Sequence, residues 1–143
     1  MANIVEELEK RTIESRVKWN NKILSLIKSI ADIKGVPNAQ IFMLSYRHQL
    51  VDKIADLRLN VFKINSLYDT TYKEKYIEYK SSYNLKLNAG ETDKFVKSDL
   101  SNIKRQYEVL NSHIDFYSEV IKTLDNLGWA IKRRMDLYTD EML

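Results

Sequence analysis

The sequence predicts an all-α protein of long antiparallel helices, a helical hairpin or bundle with a C-terminal oligomerisation helix. Three observations predict it. Val96, Leu100, Ile103, Tyr107, Leu110, Ile114, Tyr117, Ile121 and Leu124 recur at spacings of 4, 3, 4, 3 without a slip. A helix puts all of them on one stripe, whereas a strand would divide them between two faces. Gly occurs three times and Pro once in 143 residues, too rarely for a chain with many turns. Hydrophobic residues supply 44% and charged residues 30%, which suits a folded core under a solvated surface.

The first helix is expected from about Asn3 to Lys34, with Ile13, Val17, Leu24, Ile27 and Ala31 as its core stripe. Ile23, Ile30 and Ile33 broaden that stripe in the second half. Lys34, Gly35 as C′ and then Pro37 mark the stop. Residues 1–35 are thus an N-terminal helical unit.

Asn38 is placed to cap a second helix. Leu50, Ile54, Leu57, Val61, Ile64 and Tyr68 form another heptad seam, after which the spacing shifts to 4, 4, 3, 4 and tyrosines take over at Tyr72, Tyr76, Tyr79 and Tyr83. Such a stutter rotates the stripe about the helix. A continuous helix from Asn38 to Tyr83 would be about 69 Å long, with Asp69-Thr-Thr as its weak point because three poor helix formers meet there. Asn84 to Asp93 reads as a loop turning at Asn88-Ala-Gly90, which closes a unit of residues 36–92.

A third helix is expected from about Asp93 to Leu127, capped by Thr92 or Asp93. Gly128 lies on the seam and either ends the helix, kinks it or admits another backbone. Ile131, Met135, Tyr138 and Met142 keep the same phase, so a last helix continues the third or folds away from it. Residues 93–143 form the third unit of what is one domain overall. Helices this long fit poorly in a compact domain with a radius of gyration of about 14–15 Å. They favour an elongated chain that finishes burying its seams by self-association.

Catalytic constellations are missing. His48 and His113 are the only histidines, and neither sits in a His-Glu-x-x-His spacing. The i, i+4 pairs His48–Asp52 and Asp115–Glu119 lack third and fourth ligands for a metal. There is no Gly-rich phosphate loop, no Gly-x-Ser-x-Gly elbow and no Cys. The expectation is therefore no enzyme, no metal and no cofactor. No run approaches the roughly 20 apolar residues of a membrane span, and the acidic start (Glu6, Glu7, Glu9) is unlike a secretory signal. An intracellular protein without a membrane partner is expected.

The formal charge of +3 is mild, but its distribution is uneven, with bases dominating from Arg58 to Lys86 and again at Lys132-Arg133-Arg134. The segment holding Lys73, Lys75, Tyr76, Tyr79, Lys80, Tyr83 and Lys86 interleaves rings with cations. Two readings are open. Cations that neutralise phosphates beside rings that stack unpaired bases suit single-stranded nucleic acid. Alternatively, the tyrosines continue the core stripe with their hydroxyls in water. Bases near a helix end, as at Lys132-Arg133-Arg134, also favour the helix dipole alone. Around Leu127-Gly-Trp-Ala-Ile131, an oligomerisation patch of Leu124, Gly128, Trp129, Ile131, Met135 and Tyr138 stands against ordinary intrachain packing.

The C-terminal half resembles the UvsY family of recombination mediators from T-even-type bacteriophages. The likeness rests on Gly128-Trp129-Ala130-Ile131-Lys132 with Met135-Asp136, on Lys97-Ser98-Asp99, and on Lys73-Glu-Lys75-Tyr-Ile-Glu-Tyr79 followed by a polar, Gly-containing loop. It spans roughly residues 45 to 140. It implies a small helical protein that forms a ring-like homo-oligomer through its C-terminal helix and binds single-stranded DNA. It also implies handover of that strand from a single-strand-binding protein to a RecA-like recombinase, in the cytoplasm of a phage-infected bacterium. The family's DNA-contacting basic pair falls on Lys73 and Lys75. Lys75 stands where the family has Arg, which keeps the charge and loses bidentate phosphate geometry. The competing expectation is a non-enzymatic structural or adaptor protein, such as a virion component, whose seams bind another protein.

Overall fold

The computed structural model describes residues 3–81 and 86–142, with side chains through 137. Among them are four α-helices, α1 (Ile4–Ala31), α2 (Val36–Ser81), α3 (Ala89–Asp99) and α4 (Ser101–Met142), with a 3-10 turn at Ile33–Gly35 and no strand. The fold is all-α with long antiparallel helices.

Local chemistry sets the boundaries. The Asn3 side chain caps α1 by accepting from the Val5 N–H at 3.0 Å, and Glu6 and Glu7 complement the dipole in the first turn. The helix stops at Ala31, because Asp32 turns extended and its carboxylate accepts from the Lys34 N–H at 3.1 Å to start the 3-10 turn. Gly35 is therefore not the left-handed C′ residue expected, and no described glycine has positive φ. Its need is close approach: a Cβ there would collide with the Ser29 carbonyl oxygen. Helix α2 begins at Val36 with Pro37 in its first turn, where a missing N–H costs little, so Asn38 lies inside the helix rather than capping it.

Helix α2 runs unbroken through Asp69-Thr-Thr, since packing on the Tyr68 and Tyr72 side outweighs a weak local propensity. Asn88, not Thr92 or Asp93, caps α3. It forms a capping box in which Asn88 Oδ1 accepts from the Glu91 N–H at 2.8 Å and Glu91 reaches back at 3.4 Å. Thr92 is buried instead, its hydroxyl donating to the Asn88 carbonyl at 2.9 Å. Helices α3 and α4 are separated only by Leu100, whose N–H still bonds to Val96 O at 3.1 Å. Gly128 interrupts nothing. The helix expected from Asp93 to Leu127 starts at Ala89 and is divided at Leu100, and its second part, α4, takes in the expected last helix and runs on to Met142. Helix α2 comes close at Gly128, where a Cβ would sit 3.3 Å from Met43 Cε.

Helix α1 runs parallel to α4, as shown by Glu9–Arg105 at 2.8 Å, Ser15–Tyr117 at 2.6 Å, Arg16–Ser112 at 3.1 Å and the Arg134 bond to Ala31 O at 2.7 Å. Met43 beside Gly128, Arg47–Asp125 at 3.0 Å and Tyr68 near Lys104 set α2 antiparallel to α4. The core joins Trp19, Leu26 and Ile30 with Leu50 and Ile54, and with Ile114, Tyr117, Val120, Leu124 and Ile131. Trp19 stands edge-on to Tyr46 (5.7 Å) and Tyr117 (6.3 Å). The long seam thus finds its cover within the same chain: Val96, Leu100, Leu110, Ile114, Tyr117 and Leu124 are buried.

The stripe expected to face the core on α1 does not. Val5, Thr12, Trp19 and Leu26, at intervals of seven, are buried, while Ile13, Val17, Leu24, Ile27 and Ala31 face outward. Two apolar stripes about a third of a turn apart compete on this helix. Trp19 decides, because it removes the largest apolar area from water. Helix α2 has a second stripe too: Ile41, Leu44, Val51, Leu59 and Phe62 are exposed on the side opposite Ala39, Leu50 and Ile54.

Candidate nucleic-acid interface

Beyond the start of α1 at Ile4, the distal part of α2 packs against α3. Along this arm Tyr68, Tyr72 and Tyr76 stack at successive turns, with centroids 6.4 and 6.1 Å apart and rings within 25° and 26° of parallel. Tyr79 stacks on Phe95 of α3 at 5.7 Å. Two of the hydroxyls are bonded within the chain. Tyr72 donates to Asp93 Oδ1 at 2.5 Å and Tyr79 to Asp99 Oδ2 at 2.7 Å. All four tyrosines are half-buried, and Tyr72 and Tyr79 tie α2 to α3.

The Asp93 carboxylate accepting its proton pushes the Tyr72 phenol up to about 12. Asp93 is held below the usual carboxylate range by that bond and by Lys97, whose ammonium lies 3.0 Å away.

The cations divide by face. Lys73 and Lys80 are exposed, seven residues apart, with Tyr76 and Ile77 between them. Lys80 Nζ donates to the Leu87 carbonyl at 2.9 Å and lies 6.0 Å above the Tyr76 ring. Lys75 is half-buried on the inner side and pairs with Glu78 at 3.6 Å. Lys86 is exposed just before α3. The structure therefore brings Lys73, Tyr76 and Lys80 together and sets Lys75 and Tyr79 apart on the α3 side. Tyr83 lies outside the described residues.

Of the residues expected at a self-association surface, Leu124 and Ile131 are 0% and 1% exposed in the chain's own core. Packing against α1 and α2 consumes them. Trp129 is 69% exposed between two grooves, one lined by Met43, Leu44 and Lys132, the other by Ile30, Ala130 and Leu137. Lys132 Nζ lies 5.5 Å over its ring. Gly128 sits beside Met43, Met135 is exposed, and the Tyr138 side chain lies outside the described ones.

His48 and Asp52 form an exposed pair at 3.5 Å, and no group of three metal donors occurs among the described residues. His113 is half-buried against Tyr117 at 4.4 Å, and burial, with Lys53 and Arg16 nearby, holds its imidazole below its usual range.

Sequence reasoning missed a cationic groove at the junction of α3 and α4, lined by Tyr68, Lys94, Lys97, Lys104 and Arg105. The signal was present: Lys94, Lys97, Ser101, Lys104 and Glu108 recur every three or four residues. Segment 58–105 carries ten Lys and Arg against six acids, so the arm is more basic than the chain as a whole. Compared with protein-family profiles, curated proteins and solved structures, the chain has no match.

Proposed function

We propose that this chain is a non-enzymatic accessory protein of recombination that binds single-stranded DNA as a ring-like homo-oligomer. One observation carries the reading: Lys80 lies over the Tyr76 ring with Lys73 two turns back, exposed on an arm beyond α1. Cations so placed neutralise phosphates, and the ring offers a face to an unpaired base. Assembly is supported by the outward stripes of α1 and α2, which a solvated monomer would leave in water. The two stripes are unlike, and unlike faces are what head-to-tail closure into a ring requires. A ring offers one strand many weak arms, so avidity exceeds the affinity of a single arm.

The finer role rests on the resemblance at Lys73–Tyr79 and Gly128–Lys132. In it the protein accepts a strand from a single-strand-binding protein and presents it to a RecA-like recombinase, inside a phage-infected bacterium. Among the described residues no helix is long and apolar enough to cross a membrane.

The test is anisotropy of a labelled oligothymidine against salt concentration. Changing both Lys73→Ala and Lys80→Ala is expected to flatten the logarithmic salt slope by about 0.7 for each phosphate no longer neutralised. An unchanged slope rejects the site.

A second reading, an adaptor whose outer stripes hold another protein, is favoured by the Tyr72–Asp93 and Tyr79–Asp99 bonds, which spend those rings inside the chain. Under it the oligonucleotide is not retained even at low salt.

A further inference from the structure

Between α2 and α4, Ile64, Tyr68, Ile103 and Tyr107 line a slot of about 260 Å3 to which α1 contributes no residue. Beside it runs the cationic groove of about 480 Å3. Tyr68 and Lys104 line both. We infer that slot and groove form a second subsite for single-stranded nucleic acid, taking one base against Tyr68 and Tyr107 and the adjoining phosphates on Lys94 and Lys104. The inference rests on the strand-binding reading above and assigns it a site that the Lys73–Lys80 face does not include.

The division of labour follows from the lining. Two aromatic rings and two isoleucines make an apolar seat open to solvent, and sequence-tolerant stacking needs such a seat because every base has a π-face. Phosphates need cations not already engaged. Lys97 is held by Asp93 at 3.0 Å and Arg105 by Glu9 at 2.8 Å, whereas Lys94 and Lys104 pair with no acid among the described residues. Glu108 is the acid lining the groove, and it lies one helical turn beyond Lys104, which sets the phosphate path toward Lys94. Duplex DNA is a poor occupant, since its bases are stacked on one another and cannot enter the slot.

Tyr68 also joins this site to the first. Its ring stacks on Tyr72, which stacks on Tyr76 beneath Lys80. The two sites are therefore contiguous along α2, joined by rings whose faces are stacked on one another.

The test uses the full chain, a labelled oligothymidine and a duplex of equal length. Lys94→Gln with Lys104→Gln removes two unpaired surface cations and should leave the fold intact, as circular dichroism checks. The expected result is a salt slope lower by about 0.7 for each phosphate that has no cation left to meet. A 4-thiothymidine strand should also crosslink under near-ultraviolet light to a peptide containing Tyr68 or Tyr107. A normal slope in this variant, or crosslinks confined to residues 73–80, overturns the second subsite while the first stands. Equal binding of duplex and single strand overturns it too. If the unaltered chain retains no strand at all, both sites fall together.

Discussion

The Tyr72 hydroxyl donates to Asp93 Oδ1 at 2.5 Å, bridging α2 and α3 across the base of the tyrosine row. The bond serves the fold, and it leaves the ring faces of the row stacked on one another instead of splayed. It also makes the arm sensitive to alkali. The folded chain keeps the phenol protonated up to about 12, against an ordinary value of 10.0. The stabilisation is therefore complete below pH 10.0 and is lost as pH rises through about 12. Tyrosinate absorbance should show one late step that Tyr72→Phe deletes and Asp93→Asn moves back toward 10.0.

At the other end of the pH range the group to watch is His113. Its Nε2 is buried without a hydrogen-bond partner among the described residues, and burial lowers its proton affinity below the ordinary 6.5. Above pH 6.5 the ring is neutral in both folded and unfolded chains and the full stability is present. As pH falls through 6.5 the unfolded chain takes up a proton that the folded chain resists, so stability declines. Urea midpoints measured across this range should fall for the wild type and flatten for His113→Phe. A slope of equal size in the variant assigns the acid sensitivity elsewhere.

Much of the fold was legible because heptad spacing is a strong signal. The seam from Val96 to Leu124 marked the inner face across α3 and α4, with six of its nine members buried, Tyr107 exposed and the break at Leu100 inside it. The face of α1 was not legible, because Ile13-Val17-Leu24-Ile27 is as regular as the stripe containing Trp19, and spacing alone cannot say which stripe meets the partner helices. The N-cap of α3 is hidden because Asn88 also suits a turn, although Asn88 with Glu91 spells a capping box. In the candidate site, Lys73, Tyr76 and Lys80 were legible from composition. The groove of Lys94 and Lys104 left its trace in the spacing of Lys94, Lys97, Ser101, Lys104 and Glu108, but its shape depends on how α3 meets α4 across Leu100.

The glycines separate two kinds of closeness. Gly35 faces a backbone carbonyl, that of Ser29, which cannot move without unwinding the end of α1. Gly35→Ala is expected to destabilise by about 1–3 kcal/mol, the usual cost of overpacking. Gly128 faces only the flexible end of Met43 at 3.3 Å and sits inside a helix. There Gly128→Ala is expected to stabilise by roughly 0.5–1 kcal/mol, the usual gain in a helix interior. Thermal unfolding of both variants checks the opposite signs.

The proposed self-association and the folding of the chain would draw on different residues, so they separate experimentally. Val17 and Leu24 are 57% and 56% exposed on the outer stripe of α1. Replacing both with Gln keeps helix propensity and should change monomer stability by no more than about 0.5 kcal/mol each. Sedimentation should nevertheless show smaller particles, because an apolar stripe of the chain no longer seeks cover. Leu124→Ala reverses the pattern. It opens a cavity in the core, where Leu124 is fully buried, and should lower stability by about 2–5 kcal/mol, with assembly falling only as far as folding does. A double Gln variant that sediments like the wild type would place the interface between copies elsewhere, with exposed Trp129 the next residue to replace. Loss of strand binding alongside loss of assembly would show that a single arm is too weak and that the copies act together.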